Sequence, residues 1–423
     1  GSTAWFEMDA ADILPKGFAC PHCGKSAGFT KEEDTLDGWF DSGSTHFAAM
    51  KKDQGFWPAT MYLEGLDQYR GWFQSSLLTA VGAFGEGAPF KECVTHGWTV
   101  DGEGRAMHKS LGNGVDPADI FNENGADILR LWAASADYHA DVRCSKAIFQ
   151  QLSQNYLKFR NTCKFMLDNL VDFDPAHLTK AEDMPVLDRW LITKLNELIE
   201  KVEQSYNDYE FHIITHAVND FCVTTLSSFY LDIVKDRLYC EAADSAERRS
   251  AQTALYLTLS TLAKLFAPIL AFTCDEIWLA MPHTAEDDAR NVVLNDMNKP
   301  FTAYALDAET MARWEHIIEV RTAVNGALEE ARAAKVIGKS LEADVHLTVP
   351  EGDVFLADEN PAALADLFIV SKVELTVGGE LAVKVENAAG TKCPRCWKHS
   401  LTPNAEGLCP RCAEVVRHLP DLL

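Results

Sequence analysis

The stretch VLDRWLITKLNELIEKVEQSYNDYEF, residues 186–211, shows the pattern that decides the fold class of the central part of the chain. Apolar side chains recur every three or four residues, the spacing that places them on one face of an α-helix. The stripe consists of Leu187, Leu191, Leu195 and Leu198. Two later segments, residues 221–239 and 255–278, repeat the pattern. Together these segments predict a helical bundle, with Asp188 as a candidate helix cap.

The flanking regions have a different character. Before the bundle, short β-like runs at 59–63 and 92–96 alternate with helical runs at 72–84 and 116–134, which predicts an α/β layer. After it, a polar connector at 282–300 leads to a helix over 309–334 and to two strands, LEADVHLTVP and KVELTV. A chain of 423 residues is expected to form several domains. We predict four, with boundaries at 3–144, 145–300, 301–387 and 388–423.

Charge and hydropathy limit the function classes. No apolar run reaches membrane-spanning length, so we expect a cytoplasmic protein without membrane contact. The formal net charge of −25 opposes indiscriminate binding to nucleic acid. Two local regions are basic, however: residues 145–167 contain no acidic residue, and residues 392–418 carry five Lys or Arg against two Glu. These two basic islands permit a selective contact with a polyanion.

Cysteine spacing predicts a metal site near the carboxyl end. The segment CPRCWKHSLTPNAEGLCPRC has the form Cys-x2-Cys-x12-Cys-x2-Cys, which is typical of a zinc ribbon. Four thiolates leave no open coordination position, so one structural Zn²⁺ is expected. The predicted ligands are Cys393, Cys396, Cys409 and Cys412. A redox protein with Cys-x-x-Cys pairs is the competing interpretation.

A second cysteine pair, Cys20 and Cys23 in CPHCG, forms only half of such a site. From the residues alone, an orphaned zinc knuckle and two simple thiols are both open interpretations.

The loop VDGEGRAMHKSLGNGVDP, residues 100–117, contains four glycines together with His108, Lys109 and Ser110. A lysine beside a hydroxyl on a flexible backbone can hold phosphate, because the ammonium supplies charge and nearby N–H groups supply directed hydrogen bonds. A surface turn is the alternative.

Three motifs now occur in one order: DTLDGWFDSGSTH at 34–46, YLEGLDQYRGWFQSSL at 62–77 and THGWTVDGEGRAMHKSLGN at 95–113. Together they resemble the second half of the catalytic domain of class I aminoacyl-tRNA synthetases, specifically the bacterial isoleucyl-tRNA synthetases. The downstream helical segments resemble that family's anticodon-binding bundle, so the resemblance covers essentially the whole chain. It implies a multidomain α/β plus all-α fold: a partial Rossmann catalytic half, a helical anticodon-binding bundle, a small α/β junction and a zinc ribbon.

The resemblance also implies what precedes this chain in the family. We find neither the His-Ile-Gly-His motif of the first Rossmann half nor the editing domain, so we expect a carboxy-terminal fragment that is inactive alone. The family activates isoleucine with ATP and Mg²⁺ and transfers it to the isoleucine tRNA. An apolar pocket separates isoleucine from valine by about 1–3 kcal/mol, a limit for which isoleucyl-tRNA synthetase is itself the standard example.

Residue roles follow from the same resemblance. Lys109 corresponds to the second lysine of the family's Lys-Met-Ser-Lys-Ser loop, which steadies pyrophosphate, and Ser110 follows it. Ala106 replaces the first lysine and His108 the serine, so one fixed charge is lost and a titratable imidazole is gained. The residues implied to face the aminoacyl-adenylate are Glu64, Asp67, Gln68 and His96, with Trp39 and Trp72 as walls of the isoleucine pocket.

On the tRNA side, cations in the two basic islands and one aromatic residue are candidate contacts. They are Lys158, Arg160, Lys164, Trp397, Lys398 and Arg411. The alternatives are a non-catalytic tRNA-binding module and a valyl- or leucyl-type synthetase fragment. We expect a monomer.

Overall fold

The computed structural model describes residues 2–357 and 361–419, and its internal contacts define two compact units. The first unit comprises Gly1–Trp98 and Tyr138–Asp141, and the second comprises Thr99–Asp137 and Val142–Leu423. The fold mixes helix and sheet, as the sequence predicts. The four domain boundaries given above are not tested by this division and remain predictions.

The first unit is built around two parallel strands, β1 (Ala59–Gly65) and β2 (Phe90–His96). Both contain the runs predicted as strands. Its helices are α1 (Ser2–Glu7), α2 (Ala10–Ile13), α3 (Gly38–Gly43) and α4 (Trp72–Leu78). Two π-helical segments, His46–Gln54 and Thr79–Ala83, complete the unit, and the second of them continues α4 through the predicted helical region.

The second unit is mostly helical. Its helices are α5 (Pro117–Asn124), α6 (Ala126–Ser135), α7 (Lys146–Asp168), α8 (Val186–Asn207), α9 (Phe211–Asp220), α10 (Leu231–Cys240), α11 (Ala246–Phe266), α12 (Ala271–Ala280), α13 (Ala308–Ala333), α14 (Pro361–Phe368) and α15 (Pro410–Arg417). A π-helical segment, Phe221–Tyr230, joins α9 to α10. The helix predicted over 116–134 is divided into α5 and α6 at Gly125, whose φ of +88° lies where L-residues are disfavoured.

Short strands accompany these helices. They are β3 (Thr99–Val100), β4 (Val142–Arg143), β5 (Ala343–Val349), β6 (Lys372–Val377), β7 (Ala382–Asn387), β8 (Thr391–Lys392) and β9 (His399–Ser400). In the largest sheet, β5 is central, parallel to β6 and antiparallel to β7. The two predicted strands of this region, β5 and β6, are confirmed.

The core of the second unit forms where the bundle helices bury their apolar stripes. The four leucines of the α8 stripe are all buried, as predicted. The prediction that Asp188 caps a helix is wrong, because α8 begins at Val186 and Asp188 is fully buried. Its carboxylate accepts hydrogen bonds from Tyr230 at 2.8 Å, from Arg237 at 2.7 and 3.0 Å, and from Ser250 at 2.5 Å.

Among the described residues, no helix combines the length and the apolar character needed to cross a lipid bilayer.

Candidate functional site

The six residues implied to face the adenylate or to line the isoleucine pocket all lie in the first unit. The turn after β1 is a 3-10 helix, Leu66–Arg70, which presents Asp67 and Gln68 beside the end of the strand. The Gln68 carboxamide links this turn to α4: its Oε1 accepts from the backbone N–H of Trp72 at 3.0 Å, and its Nε2 donates to Asp67 at 3.4 Å. The turn and the first residue of α4 are therefore held together by one side chain.

Two glycines bring further predicted residues into the same place. A Cβ at Gly71 would lie 2.7 Å from Gln68 Oε1 and 3.6 Å from Trp39 Cε2. A Cβ at Gly65 would lie 2.8 Å from Asp67 Oδ1 and 3.8 Å from His96 Cε1. Side chains from three segments thus converge on Gly65 and Gly71, and a residue with a Cβ at either position would displace them.

Glu64 and His96 belong to the two paired strands. Glu64 is half-buried and lies opposite Thr95, and the next pair in the register is Gly65 and His96. His96 Nδ1 lies 2.9 Å from the Gly97 carbonyl, which only accepts, so this nitrogen carries the proton. The carboxyl ends of parallel strands are where α/β sheets bind ligands, and these residues occupy that edge.

Tyr62 supports the site and was missed in the sequence. Its ring packs 4.6 Å from the Trp72 ring, and its hydroxyl lies 3.1 Å from Ser76 Oγ. Burial raises the pKa of the Tyr62 hydroxyl, so the phenol stays neutral. Carboxylate, amide and imidazole groups beside an aromatic wall can bind an ammonium group, hydroxyls and an apolar side chain.

The glycine-rich loop belongs to the second unit and is anchored by Asp101, which the sequence reading also missed. This carboxylate accepts from Asn113 Nδ2, from the Arg105 backbone N–H and from Arg105 Nε, each at 2.8 Å. These donors, above all the Asn113 amide and the Arg105 N–H, hold the pKa of Asp101 well below its usual range. The side-chain Oδ1 of Asn113 in turn accepts from His108 N at 2.9 Å, which closes the loop.

The loop presents Lys109 to solvent. Lys109 and Ser110 start a short 3-10 turn and are exposed. Arg105 is paired with Asp101 and with Glu103, both at 2.8 Å. Across the described residues, no hydrogen bond or ion pair to the Lys109 ammonium is found, so this charge is available for a ligand phosphate.

The four predicted metal ligands come together in the second unit. The Sγ atoms of Cys393, Cys396, Cys409 and Cys412 all lie within 4.8 Å of one another, without a disulfide. The separation of 3.8 Å between Cys396 and Cys409 equals the edge of a tetrahedron with Zn–S bonds of about 2.3 Å. Burial by itself would raise the pKa of Cys393, but backbone N–H groups of Cys396, Cys409 and Arg395 lower it to about 6, whereas burial raises the pKa of Cys396 and of Cys412. The donor set therefore fits zinc.

The Cys20–Cys23 segment has the same backbone turn as the first knuckle of this cluster. Cys20 N donates to Lys25 O at 2.8 Å and Gly24 N to Cys20 O at 2.9 Å. Cys393 N donates to Lys398 O and Trp397 N to Cys393 O, both at 2.9 Å. In the described residues, Cys20 and Cys23 belong to no group of three or more potential ligands, so the two interpretations of this pair stay open.

The six candidate tRNA contacts differ in availability. Lys158 is exposed, Arg160 pairs with Glu276 at 3.3 Å, and Lys164 pairs with Asp168 at 2.7 Å. Such surface pairs contribute little and can exchange for phosphate. The Trp397 ring is 53% exposed.

Lys398 and Arg411 are already bound within the second unit. Lys398 pairs with Asp366, and Arg411 donates to Asp236 at 2.5 and 2.8 Å and to Glu241 at 2.9 Å. Arg411 therefore attaches the cysteine segment to α10, a role that the sequence did not indicate. The guanidinium of Arg411 is occupied in this way, and its role as a tRNA contact stays a prediction.

Comparison with known proteins agrees with this arrangement. A family model described as tRNA synthetases class I (I, L, M and V) matches residues 1–145, and one described as anticodon-binding domain of tRNA ligase matches residues 188–347. Isoleucine–tRNA ligase of Moorella thermoacetica is 47% identical over 99% of this chain. The chain belongs to the class I aminoacyl-tRNA synthetases.

Other members of the family agree. Isoleucine–tRNA ligase of Desulforamulus reducens is 48% identical over 99% of the chain. The chain spans about half the length of these curated relatives, covering 47% of each of the two. A solved LeuRS–tRNA–LeuAMS complex from Agrobacterium radiobacter K84 shares the fold, with a TM-score of 0.54 and 17% identity over 88% of this chain and 38% of that one.

Proposed function

We propose that this chain is part of an isoleucine–tRNA ligase, a cytoplasmic enzyme that forms isoleucyl-adenylate from isoleucine and ATP with Mg²⁺ and transfers isoleucine to its tRNA. The observation that carries this proposal is the 47% identity to isoleucine–tRNA ligases over 99% of the chain. The converging side chains at the end of β1 and the exposed Lys109 support it.

In the proposed reaction, the protein positions substrates and neutralises charge, because the isoleucine carboxylate itself attacks the α-phosphate. Asp67 and Gln68, together with Glu64, bind the ammonium and ribose hydroxyls, and His96 contacts the adenylate. Trp39 and Trp72 enclose the isoleucine side chain. Lys109 stabilises the departing pyrophosphate, with Ser110 and His108 as neighbouring donors.

The four-cysteine cluster is proposed to hold one structural zinc ion, which supplies no chemistry to the reaction. Residues 388–423 contain little core, and zinc binding worth on the order of 10 kcal/mol offsets that deficit. Elemental analysis of the purified chain should find one zinc per chain. Thiol titration of a metal-free chain with intact fold would contradict the proposal and favour a redox role.

Catalysis by this chain alone is tested by ATP–pyrophosphate exchange with isoleucine. We expect no exchange, because this chain carries no His-Ile-Gly-His motif. Robust exchange would refute the proposal that the chain alone binds tRNA without full catalysis.

Binding of tRNA is tested separately, by filter binding at physiological salt. We expect monomeric chain to prefer isoleucine tRNA over unrelated tRNAs. Equal affinity for both would contradict the assignment of the bundle as an anticodon-binding domain.

A further inference from the structure

The two cysteine knuckles share a feature that metal ligation itself does not need, an arginine between the cysteines. Both knuckles have the sequence Cys-Pro-Arg-Cys, at 393–396 and 409–412, so Arg395 and Arg411 occupy equivalent positions. We call these two residues the knuckle arginines. Both guanidinium groups contact the carboxyl end of α10, which lies in the same unit although it is more than a hundred residues earlier in the chain.

The first knuckle arginine, Arg395, binds carbonyl groups at the end of this helix. The last four carbonyls of an α-helix have no partner of their own within it. In α10 the final two, those of Tyr239 and Cys240, both accept from the Arg395 guanidinium, the Tyr239 carbonyl at 3.2 Å. The Cys240 thiol in turn donates to the Arg395 carbonyl at 3.8 Å. A cation at this place is also favoured by the negative end of the helix dipole.

The second knuckle arginine, Arg411, binds the same helix end through carboxylates. As described above, its guanidinium donates to Asp236 and to Glu241. Asp236 lies near the end of α10, and Glu241 directly follows the helix. None of these three side chains is more than 32% exposed, so solvent screens this contact less than it screens the exposed ion pairs of the chain.

The cysteine cluster is also in direct contact with Arg395. The Nη1 atom of Arg395 lies 3.8 Å from Sγ of Cys412, a proposed metal ligand from the other knuckle. Four thiolates around one Zn²⁺ carry excess negative charge, which a neighbouring guanidinium offsets. One side chain therefore contacts a proposed metal ligand and the end of α10 at the same time.

We infer that the knuckle arginines couple the proposed zinc ion to α10. Metal binding fixes both knuckles so that Arg395 and Arg411 hold the end of the helix, and loss of the ion releases it. The inference rests on the zinc site of the proposed function and adds two residues outside the four cysteines that determine how tightly the ion is held. Coupling between two sites acts in both directions, so contact with α10 also strengthens metal binding.

The effect on metal binding is tested with Arg395→Ala in the whole chain, by competition for zinc with a coloured chelator. Loss of a residue that contacts a metal ligand should weaken zinc binding about 10- to 100-fold. Arg395→Lys should give an intermediate affinity, because a single ammonium cannot replace the planar guanidinium at one sulfur and two carbonyls.

The matched control is Arg417→Ala. It removes the same charge from the same cysteine segment, at a side chain that is 67% exposed and pairs with Glu414 on its own helix. This variant should bind zinc like the parent chain. Equal affinities of Arg395→Ala and the parent chain would overturn the inference.

Release of the helix end is tested by amide hydrogen exchange before and after the zinc is removed by a chelator. Amides of residues 236–241 should exchange at least about tenfold faster in the zinc-free chain, whereas those of α9 should not change. The double variant Arg395→Ala/Arg411→Ala, saturated with zinc, should show the same fast exchange with the ion in place. Thermal melting checks that this variant is folded. Equal acceleration in α9 would show that the whole bundle loosens, which would overturn the local coupling.

Failure of this inference differs from failure of the proposed function. If the chain holds one zinc ion and removal of that ion leaves exchange at the end of α10 unchanged, the coupling is wrong and the zinc site stands. If the chain holds no zinc, the zinc site and the coupling both fail, and the proposed ligase activity stands on the identity to isoleucine–tRNA ligases.

Discussion

Single residues show how local chemistry departs from what spacing suggests. Asp101 and Asn113 hold a loop with four glycines in one conformation, a role that the spacing of residues in the loop does not indicate. Asp188 lies near the start of a helix, which suggested that it caps the helix. Its buried carboxylate instead accepts hydrogen bonds from Tyr230 and Arg237. Pairing across elements decides the role of Asp188, and hydrogen bonds within the loop decide that of Asp101; residue spacing alone indicates neither.

Asp188→Ala should lower the free energy of unfolding by about 3–5 kcal/mol, because it leaves the guanidinium of Arg237 buried without its anion. Asp168→Ala is the control, since it removes an exposed pair with Lys164 and should cost less than about 1 kcal/mol. Urea denaturation of both variants measures the difference. Similar losses in the two variants would show that burial of the Asp188 pair is not the cause.

Ala106→Lys, made in the intact form of the proposed ligase, should restore the first lysine of the loop. The Ala106 side chain is exposed, so the longer residue fits. We expect pyrophosphate exchange to increase roughly tenfold, because the substitution adds a second fixed positive charge to the loop. An unchanged rate would mean that the replacement is neutral.

At the scale of elements, regular segments were predictable and irregular ones were not. The α8 stripe, β5 and β6 were predictable from the periodic spacing of apolar residues, because only one face of each element is buried. The helix α14 and the strand β7 were missed, since α14 is short and β7 exposes much of both faces. The candidate adenylate residues come from the resemblance and stay predictions, whereas Tyr62 was not identified from the sequence, because its contacts join segments ten or more residues apart.

Gly390 provides a test of how backbone conformation stabilises a single element, the β8–β9 hairpin. Its φ is +97°, and a Cβ there would lie 2.4 Å from the Ser400 carbonyl oxygen, so Gly390→Ala should destabilise the β8–β9 hairpin by about 1–3 kcal/mol. Gly326→Ala, inside α13, where the added Cβ would meet nothing within 4 Å beyond its chain neighbours and the backbone of its own helix, should instead stabilise the chain by about 0.5–1 kcal/mol. Urea denaturation of both variants should show opposite signs. The same sign in both would contradict this interpretation.

At the scale of the whole molecule, the two units differ in the amount of buried apolar surface. In the described part of Gly1–Trp98, the buried hydrophobic residues are Ala59, Tyr62 and Ala80, whereas the second unit contains an extended core of the bundle helices. Burial of apolar side chains is a major source of folding free energy. The second unit therefore contributes most of the stabilisation that comes from this burial.

Amide hydrogen exchange should reflect this difference. Amides of β1 and β2 should exchange at least about tenfold faster than those of α8 and α11 under native conditions. Mass spectrometry of peptides from each unit measures the rates. Equal protection of the two units would show that the first unit is stabilised by more than its buried residues.

The duplicated turn at Cys20 and Cys393 provides an internal reference for the metal site. The same hydrogen-bonded turn carries the isolated pair Cys20 and Cys23 in one place. In the other place it carries Cys393 and Cys396, which belong to the cluster of four cysteines. A thiol reagent should therefore distinguish them within one molecule: the exposed Cys23 should react at once, as should the exposed Cys93, while the four clustered thiols should react only after the proposed zinc ion leaves. The rate of the slow reaction would then measure how fast the proposed ion dissociates.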